Sequence, residues 1–541
     1  MPAAHGRWSL SNTGERTIHG NAVSGKTLFI SGQRPLPMMR AAACNVGLPV
    51  CATVTPEKCL MSADLKEPTQ RDASQHAGEA RCPGAPSTQQ IIAKDKIAAP
   101  EWVRTESYQF LGDKDIPTDR YLDPAFAKEE FDRLWTRTWQ FACREEHIPE
   151  VGDYHVYDVG PYSFIITRVA TNDIRAYYNA CLHRGTKLRG SGTDGHASEF
   201  RCSFHGWSWN IDGTNKRVVC QWDFPHVDRK KFSLPQARVE RLGGFVFINM
   251  DPAAPALADY LGAEAKAHLE AWKLEDRYVS LHVSKRLPCN WKLAIEAFLE
   301  AYHVIETHSQ VAVSNGDANS QYDTYGEHVN RFISTLGVLS PHLYGKYTEQ
   351  DILDQFTLGD SGALGDTKRT LGEGGTARQV MADMFRGMFE KATNTDLSGV
   401  SDSELLDCFS YTIFPNLFLF PGISLPMVYR FRPDPRDYRM CIYEVMFLRP
   451  VPQDGRRPEP AEPIHLADKQ SFKEAEGMDP GFGAILDQDT DNLFLQQEGL
   501  EASAKHGLTL GNYQEIRVRH FEKAVDKYLA MQPKRPDRNN L

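Results

Sequence analysis

Two short segments of this chain each carry one cysteine and one histidine, residues that bind metals through sulfur and nitrogen. Cys181 and His183 form the first pair, and Cys202 and His205 form the second. Eighteen residues separate His183 from Cys202. Two thiolates and two imidazoles can together provide the four protein ligands of one metal centre.

The mixed composition of each pair distinguishes between two kinds of metal centre. Zinc sites commonly take two Cys from one segment and two His from another. A Rieske [2Fe–2S] cluster binds two Cys on one iron and two His on the other, so each segment must supply one residue of each kind. Gly185 and Gly206, just after the two histidines, allow close backbone approach to a cluster. The pattern therefore favours a Rieske cluster over zinc.

The motifs Cys181-Leu-His183-Arg-Gly and Cys202-Ser-Phe-His205-Gly-Trp resemble the Rieske domain of ring-hydroxylating, Rieske-type non-haem iron oxygenases, in their terminal oxygenase α subunits. The resemblance covers the chain from about Trp102 to near its end. It implies an α+β fold, with a small all-β Rieske domain and a larger α+β catalytic domain of the helix-grip type, in which helices cover a curved antiparallel sheet. A cytochrome bc-type protein or a small ferredoxin also fits a bare Rieske motif.

Residues 289–308 are a second stretch that could do chemistry. They lack Pro and Gly and are rich in Ala, Leu and Glu, which predicts a helix. On that helix Glu296, Glu300 and His303 would lie at i, i+4 and i+7 and share one face. A solvated polar face, with the apolar residues of the run against the core, is the alternative explanation of this pattern.

A helix alone does not bring the two histidines of this run together. His303 and His308 are five residues apart, which is about 140° of helical rotation. Both can reach one metal only if the helix ends, unwinds or bulges between them. The run resembles the family motif Asn-Trp-Lys…Glu-x-x-x-Asp-x-Tyr-His-x-x-x-x-His, and this resemblance implies that His303 and His308 bind a mononuclear non-haem Fe(II).

A facial triad also requires one carboxylate, which must come from another part of the chain. In the family an Asp lies eight positions before Gln-x-Gly-Leu, and an Asn follows that Asp by three positions. Both spacings select Asp489, with Gln497 and Asn492 as the markers. Asp487 and Asp491 remain rivals for the third ligand position.

The family resemblance also assigns a role to Glu300. Members pass electrons between neighbouring subunits through an acidic residue three positions before the first His ligand, and that position is Glu300 here. Most ring-hydroxylating members have Asp there, whereas Glu is also seen in the carnitine-oxygenase branch. We expect Glu300 to bridge His205 of a neighbouring copy to His303.

The partners follow from motifs that the sequence lacks. There is no Gly-x-Gly-x-x-Gly after a predicted strand and no plant-type ferredoxin cysteine pattern. Electrons from NAD(P)H must therefore arrive through a separate reductase, directly or by way of a ferredoxin. The resemblance implies a homotrimer, with or without a small β subunit.

Composition excludes several other classes of protein. A net charge of −10 over 541 residues, without a basic run that contains aromatics, argues against nucleic acid as the main partner. The most apolar stretch, residues 414–429, contains three prolines and reads as strands, so no membrane span is expected. Eleven cysteines without a secretory signal favour a reducing cytoplasm.

The chain divides by composition into five regions. Residues 1–60 lack any periodicity and are interpreted as a disordered or non-native extension, because Met61 resembles an ordinary start. We predict a polar linker over 61–100 and, within 101–140, a helix that begins after the N-cap residue Asp123 and ends near Trp139. The family resemblance implies that this helix packs on the catalytic domain, and it places the Rieske domain over 141–252 and the catalytic mononuclear iron domain over 253–541. Within the last region, residues 309–370 are expected to be rich in loops.

Four functions compete at this point. The first is an oxygenase that hydroxylates an aromatic or other hydrophobic small molecule once or twice. The second is a Rieske monooxygenase or demethylase that acts on a quaternary ammonium or methoxy compound. The third is an electron-transfer Rieske protein without oxygenase activity. A di-iron carboxylate protein is the fourth, but the only other Glu-x-x-His, Glu462-Pro-Ile-His465, contains a proline in a Pro-rich loop and argues against it.

Overall fold

The computed structural model describes residues 81–358 and 369–533. The extension predicted over 1–60, and the start proposed at Met61, lie outside the described residues. The described part has the predicted α+β architecture, with an all-β domain followed by a larger domain built on an antiparallel sheet. No helix in this part of the chain has the length and apolar character that a membrane span requires.

The segment before the β domain is folded against the rest of the chain. The linker predicted over 61–100 is wrong for its described part, because Ser87 opens a helix with a capping box and Thr88 Oγ1 donates to the carbonyl of Asn319 at 2.7 Å. Ile91 and Ile92 are buried. The sequence did not indicate this packing, because the composition of the region is polar on average. The elements are α1 (Thr88–Ile92), α2 (Glu101–Arg104), β1 (Ile116–Pro117), α3 (Asp119–Leu122) and α4 (Pro124–Glu129).

The helix predicted after Asp123 begins as expected but ends early. The Asp123 side chain accepts from the amide of Ala125, and Pro124 occupies the first turn. The chain then forms a π-helical turn, Glu130–Leu134, rather than continuing to residue 139. This turn lets the buried Glu130 carboxylate accept from Lys292 Nζ at 2.5 Å, so the segment is tied to the catalytic domain.

The β domain is built from two antiparallel sheets. A seven-stranded sheet runs in the order β2-β11-β10-β5-β4-β3-β6, and a three-stranded sheet in the order β7-β8-β9. The strands are β2 (Gln140–Arg144), β3 (Asp153–Val159), β4 (Tyr162–Ala170), β5 (Asp173–Tyr178), β6 (Asp194–His196), β7 (Glu199–Arg201), β8 (Ser208–Asn210), β9 (Asn215–Arg217), β10 (Gln236–Leu242) and β11 (Phe245–Asn249).

The larger domain contains an eight-stranded sheet in the order β13-β14-β15-β16-β17-β18-β12-β19, in which only the β12–β19 pair is parallel. The strands are β12 (Arg277–Leu287), β13 (Gln321–Tyr325), β14 (Val329–Ser334), β15 (Cys408–Ile413), β16 (Leu417–Phe420), β17 (Met427–Pro433), β18 (Cys441–Pro450) and β19 (Pro463–Leu466), and a short β20 (Gly507–Leu508) pairs with β1.

Helices surround this sheet, and three of them position the site described below. They are α5 (Leu257–Leu261), α6 (Ala263–Ala271), α7 (Trp291–Glu296), α8 (Val304–Thr307), α9 (Glu349–Leu358), α10 (Ala377–Thr393), α11 (Asp402–Leu406), α12 (Pro480–Ala502) and α13 (Ile516–Leu529). Helix α7 contacts β17 and β18, and α12 packs on α7. Residues from the same helices and strands form the main hydrophobic core.

The loop-rich character predicted for 309–370 is only partly right. Strands β13 and β14 and helix α9 occupy much of the described part. The strands escaped notice because they bury polar residues, among them Asp323 and Arg331, which pair at 2.7 Å and are fully buried. The glycine-containing segment 359–362 lies outside the described residues.

Candidate metal centres

The two Cys-His segments are matching turns at the ends of strands. One follows β5 and the other follows β7. In the first, the amide of Gly185 donates to the carbonyl of Cys181 at 2.9 Å; in the second, Gly206 donates to Cys202 at 3.1 Å. Both glycines have positive φ, +78° and +73°, a conformation that other residues rarely adopt. The same backbone turn therefore presents both pairs of side chains.

The side chains of these turns form a donor set that fits a Rieske cluster. Cys181 and Cys202 are buried with free thiols, and the rings of His183 and His205 are 4.6 Å apart. Both imidazole Nδ1 atoms are buried and find no hydrogen-bond partner among residues 81–358 and 369–533. Buried nitrogen without a partner is costly in a protein unless a ligand satisfies it.

The electrostatics of Cys202 suit a thiolate ligand. Burial disfavours the charged form, but hydrogen bonds from the backbone amides of Phe204 and His205 outweigh it and lower the pKa of Cys202. At Cys181 burial is the larger effect, and the pKa of that thiol is raised. An iron–sulfur cluster would remove this difference, because a coordinating thiol is deprotonated outright.

The run 289–308 is not one helix. Helix α7 ends at Glu296 and α8 begins at Val304, so the prediction of a continuous helix is wrong over 297–303. The amide of Ala301 donates to the Tyr322 hydroxyl at 3.0 Å instead of to a helical carbonyl. A tertiary contact thus replaces a backbone hydrogen bond and unwinds the chain between the two histidines.

This break also separates the predicted polar stripe. Glu296 accepts a hydrogen bond from the hydroxyl of buried Tyr121 at 3.0 Å rather than from either histidine. The alternative explanation, a solvated polar face, does not hold either, because Glu296 is itself buried. The apolar residues of the run, Trp291, Ile295 and Phe298, are buried as that alternative expected.

His303, His308 and Asp489 converge on one point. Their donor atoms all lie within 4.8 Å of one another, and no other group of this kind occurs among the described residues. His308 Nε2 is 2.8 Å and His303 Nε2 is 3.6 Å from Asp489 Oδ1. Two imidazoles and one carboxylate are the donor set of a facial triad, which binds iron and leaves coordination positions open.

The rival carboxylates are directed elsewhere. Asp487 accepts from the Phe472 amide at 2.8 Å and from the Ser471 hydroxyl, which holds it against the turn before α12. Asp491 is exposed. On helix α12 these two residues lie about 200° of rotation from Asp489, so only Asp489 faces the histidines.

Comparisons with known proteins match a family to each of the two parts of the chain that contain these donor sets. Residues 138–227 match the family model of the Rieske [2Fe-2S] domain, and residues 264–531 match that of the ring hydroxylating alpha subunit catalytic domain. The chain belongs to the ring-hydroxylating alpha-subunit family. Its fold class and its expected cofactors, a Rieske cluster and a non-haem iron, are thereby confirmed.

Individual relatives of this alpha subunit come from two branches. The chain is 32% identical over 213 residues to biphenyl 2,3-dioxygenase subunit alpha of Rhodococcus jostii, covering 38% of this chain and 46% of the relative. It is 29% identical over 194 residues to the carnitine monooxygenase oxygenase subunit of Escherichia coli K12, covering 36% of this chain and 52% of the relative. These matches span about half the length of the curated relatives.

Solved structures from both branches share the fold. A quaternary ammonium Rieske monooxygenase superposes with a TM-score of 0.53 at 16% identity, covering 76% of this chain and 95% of that one. Naphthalene 1,2-dioxygenase with bound indole superposes with a TM-score of 0.52 at 20% identity, covering 79% of this chain and 95% of that one.

Glu300 of this alpha subunit lies directly against His303. Its Oε1 is 2.7 Å from His303 Nδ1, and its Oε2 accepts from the His303 amide at 3.0 Å. Burial works against a charged His303, but the attraction and hydrogen bond of Glu300, followed by the charge of Asp489, outweigh it and raise the pKa of His303 to about 9. Glu300 therefore holds the Nδ1 side of the ring and leaves Nε2 directed at Asp489.

Two cavities adjoin the converging residues and share His303 and Asp489 in their linings. One, of about 190 Å³, is lined mainly by apolar side chains and also by His308. The other, of about 180 Å³, is more polar and is lined by Glu296 and Asn492. Glu300, His303 and Asp489 line both cavities. Sequence reasoning missed the cavity walls, because their residues come from segments far apart in the chain.

One functional candidate also escaped the sequence reasoning. Gln488 Oε1 is 2.9 Å from His308 Nδ1, on the side of the ring opposite Asp489. The only sequence signal was its position next to Asp489.

Proposed function

We propose that this chain is a terminal oxygenase component that uses O₂ and electrons from a separate reductase to hydroxylate a neutral, largely apolar small molecule. The observation that carries this proposal is the convergence of His303, His308 and Asp489 at an apolar cavity. A mononuclear iron held by these three side chains would supply the O₂ chemistry, and a Rieske cluster would supply single electrons.

The protein side chains have distinct roles in this proposal. Cys181, His183, Cys202 and His205 would hold the Rieske cluster. His303, His308 and Asp489 would hold the mononuclear iron, and Glu300 would link His303 to the electron supply. The apolar walls would bind the substrate and exclude water from the reacting atoms.

The cavity lining supports a neutral substrate. Apolar walls surround the space, and none of the described residues that line it is Lys or Arg. The apolar side chains in its walls include Phe298, Phe332, Leu336, Phe420, Met427 and Ile485. Away from the two metal-binding histidines, a carboxylate in this cavity would lack a cationic partner among the described residues, which costs several kcal/mol when it is buried. The same argument disfavours a zwitterion such as carnitine, which the name of one relative mentions.

Iron content and O₂ uptake test the function. Purified protein should contain three irons per chain and consume O₂ with a surrogate reductase when a neutral aromatic compound is present. Its carboxylated analogue should react with a kcat/KM at least about tenfold lower, because the carboxylate must be desolvated without a partner. Labelled O₂ then separates the outcomes, since a dihydroxylated product carries both atoms and a monooxygenated one carries a single atom.

Two results would contradict this function. Two irons per chain without O₂ uptake would leave only an electron carrier. If the enzyme prefers a quaternary ammonium compound over every neutral aromatic compound, the result would favour a demethylating monooxygenase. The aromatic side chains of the cavity walls could then bind the cation through cation–π contacts.

We further propose that copies of the chain associate head to tail, as a trimer with electron transfer between copies. Two surfaces support this. Phe204 and Trp222 are exposed large hydrophobic residues close in sequence to the cluster ligands, with Trp222 80% exposed. Tyr302 and Leu495 are exposed beside the polar cavity that Glu300 lines, with Leu495 61% exposed. Exposed apolar side chains, near the cluster ligands in one surface and near the iron site in the other, are typical of surfaces that a partner covers.

A charge placed in either surface should break this association. We expect Trp222→Glu and Leu495→Glu each to shift the protein toward monomer in light scattering and to lower turnover, with iron content unchanged. Val151→Glu is the matched control, because Val151 is an exposed hydrophobic residue, 43% exposed, outside both surfaces. Variants that stay assembled and fully active would contradict the head-to-tail arrangement.

A further inference from the structure

The two converging histidines have different partners on their Nδ1 atoms. His303 Nδ1 meets the carboxylate of Glu300, whereas His308 Nδ1 meets the amide oxygen of Gln488 at 2.9 Å. Partners of this kind fix the tautomer and the ring orientation of a metal-binding histidine. The difference means that one ring is held by a negative group and the other by a neutral one.

The amide of Gln488 is itself held in one orientation. Gln310 Nε2 donates to the same Gln488 Oε1 at 2.8 Å. If the Gln488 amide were reversed, its NH₂ group would face the NH₂ group of Gln310, and two donors would meet without an acceptor. Gln310 is held through its backbone, because its main-chain carbonyl accepts from Gln355 Nε2 at 2.7 Å.

The orientation of Gln488 decides which nitrogen of His308 is free. An amide oxygen can only accept, so His308 must carry its proton on Nδ1. The lone pair of the neutral ring then lies on Nε2, 2.8 Å from Asp489 Oδ1. Two acceptors that face each other in this way require a cation, and a metal ion would satisfy both. A reversed amide would donate to Nδ1 and require the proton on Nε2, where it would block a metal.

We propose that Gln488, oriented by Gln310, is the positioning residue that prepares His308 as a metal ligand. The inference rests on the proposed function, because it assumes that His308 binds the mononuclear iron. Gln310 and Gln355 both line the apolar cavity, so the contacts that orient Gln488 reach the wall of that cavity.

Ferrous iron affinity tests the proposal independently of turnover. The mononuclear iron is removed anaerobically from the full-length protein with a chelator, and Fe(II) rebinding is measured in competition with a ferrous indicator. Gln488→Met keeps the length of the side chain but removes the acceptor, and it should weaken Fe(II) binding by about 10- to 100-fold. Gln488→Glu keeps the acceptor and should bind Fe(II) at least as tightly as the unmodified protein.

Two further variants protect the test against a simple folding defect. Gln379→Met makes the same change at an exposed position of α10 that lines neither cavity, and it should leave Fe(II) affinity unchanged. Gln310→Met leaves Gln488 in place but frees its amide to rotate, and it should give a smaller loss than Gln488→Met. The visible absorbance of the Rieske cluster should be the same in every variant, which shows that the fold is intact.

The outcomes separate this inference from the proposed function. Fe(II) affinity of Gln488→Met within about twofold of the unmodified protein would overturn the positioning role. Equal losses in Gln488→Met and Gln488→Glu would overturn it as well, because packing rather than the acceptor would then matter. If the unmodified protein binds no third iron, the proposed function itself fails and this inference fails with it.

Discussion

Asp489→Ala is expected to remove the mononuclear iron and to lower substrate hydroxylation by at least about a thousandfold, because the described residues contain no second cluster of two histidines and a carboxylate that could supply the metal chemistry. Asp489 is buried, and its Oδ1 is the atom that both histidine Nε2 atoms approach. Without that carboxylate only two protein ligands remain, which is too few for a facial triad. The Rieske cluster lies on other elements and should be retained.

Two measurements on matched variants check this expectation. Iron analysis should fall from three to about two per chain in Asp489→Ala, with unchanged cluster absorbance. Asp487→Ala removes a carboxylate from the same helix but one that accepts from Phe472 and Ser471, so it should keep the third iron. Loss of iron in Asp487→Ala together with retention in Asp489→Ala would show that the third ligand has been misassigned.

Substitution of Glu300 should separate electron supply from metal binding. In the unmodified protein Glu300 Oε1 lies 2.7 Å from His303 Nδ1. In Glu300→Gln the amide oxygen can still accept a hydrogen bond from this nitrogen, so the iron should stay bound. The carboxylate is lost, however, and we expect steady-state turnover to fall by about 10- to 100-fold or more. Glu300→Asp keeps the charge and should retain more activity than Glu300→Gln.

The decisive reading is the rate at which a reduced cluster is reoxidised. Protein reduced in the absence of O₂ is mixed with O₂ and substrate, and the return of cluster absorbance is followed. This rate should fall in Glu300→Gln while iron content remains at three per chain. A cluster that is reoxidised at the unmodified rate would exclude Glu300 from the electron path.

The cluster site shows what local sequence can predict. Each pair of ligands lies within a few residues of chain, as in Cys181-x-His183, and the mixture of Cys and His in each pair already distinguishes a Rieske cluster from zinc. The turn geometry follows from the same short segments, since each contains its own glycine at positive φ. Little of this depends on distant parts of the chain.

The sequence predicted the residues of the iron site but not the geometry that brings them together. His303 and His308 could be named from their motif, but a continuous helix would have placed them about 140° apart. The hydroxyl of Tyr322, on strand β13, accepts a hydrogen bond from the amide of Ala301, and the helix is interrupted there, between the two histidines. The selection of Asp489 over Asp487 is likewise explained by the contacts that Ser471 and Phe472 make with Asp487.

The sequence by itself therefore predicted the candidate ligands, the order of the two domains and the kind of chemistry, because residue type, short spacing and the resemblance to a known family suffice for these predictions. The tertiary structure decided where the helix breaks, which way Gln488 faces, how the segment before residue 100 packs and which walls enclose the cavity. Each of these depends on contacts between segments that are separated along the chain, such as those of Ala301 with Tyr322 and of His308 with Gln488. Periodicity and spacing along the chain carry no information about such contacts.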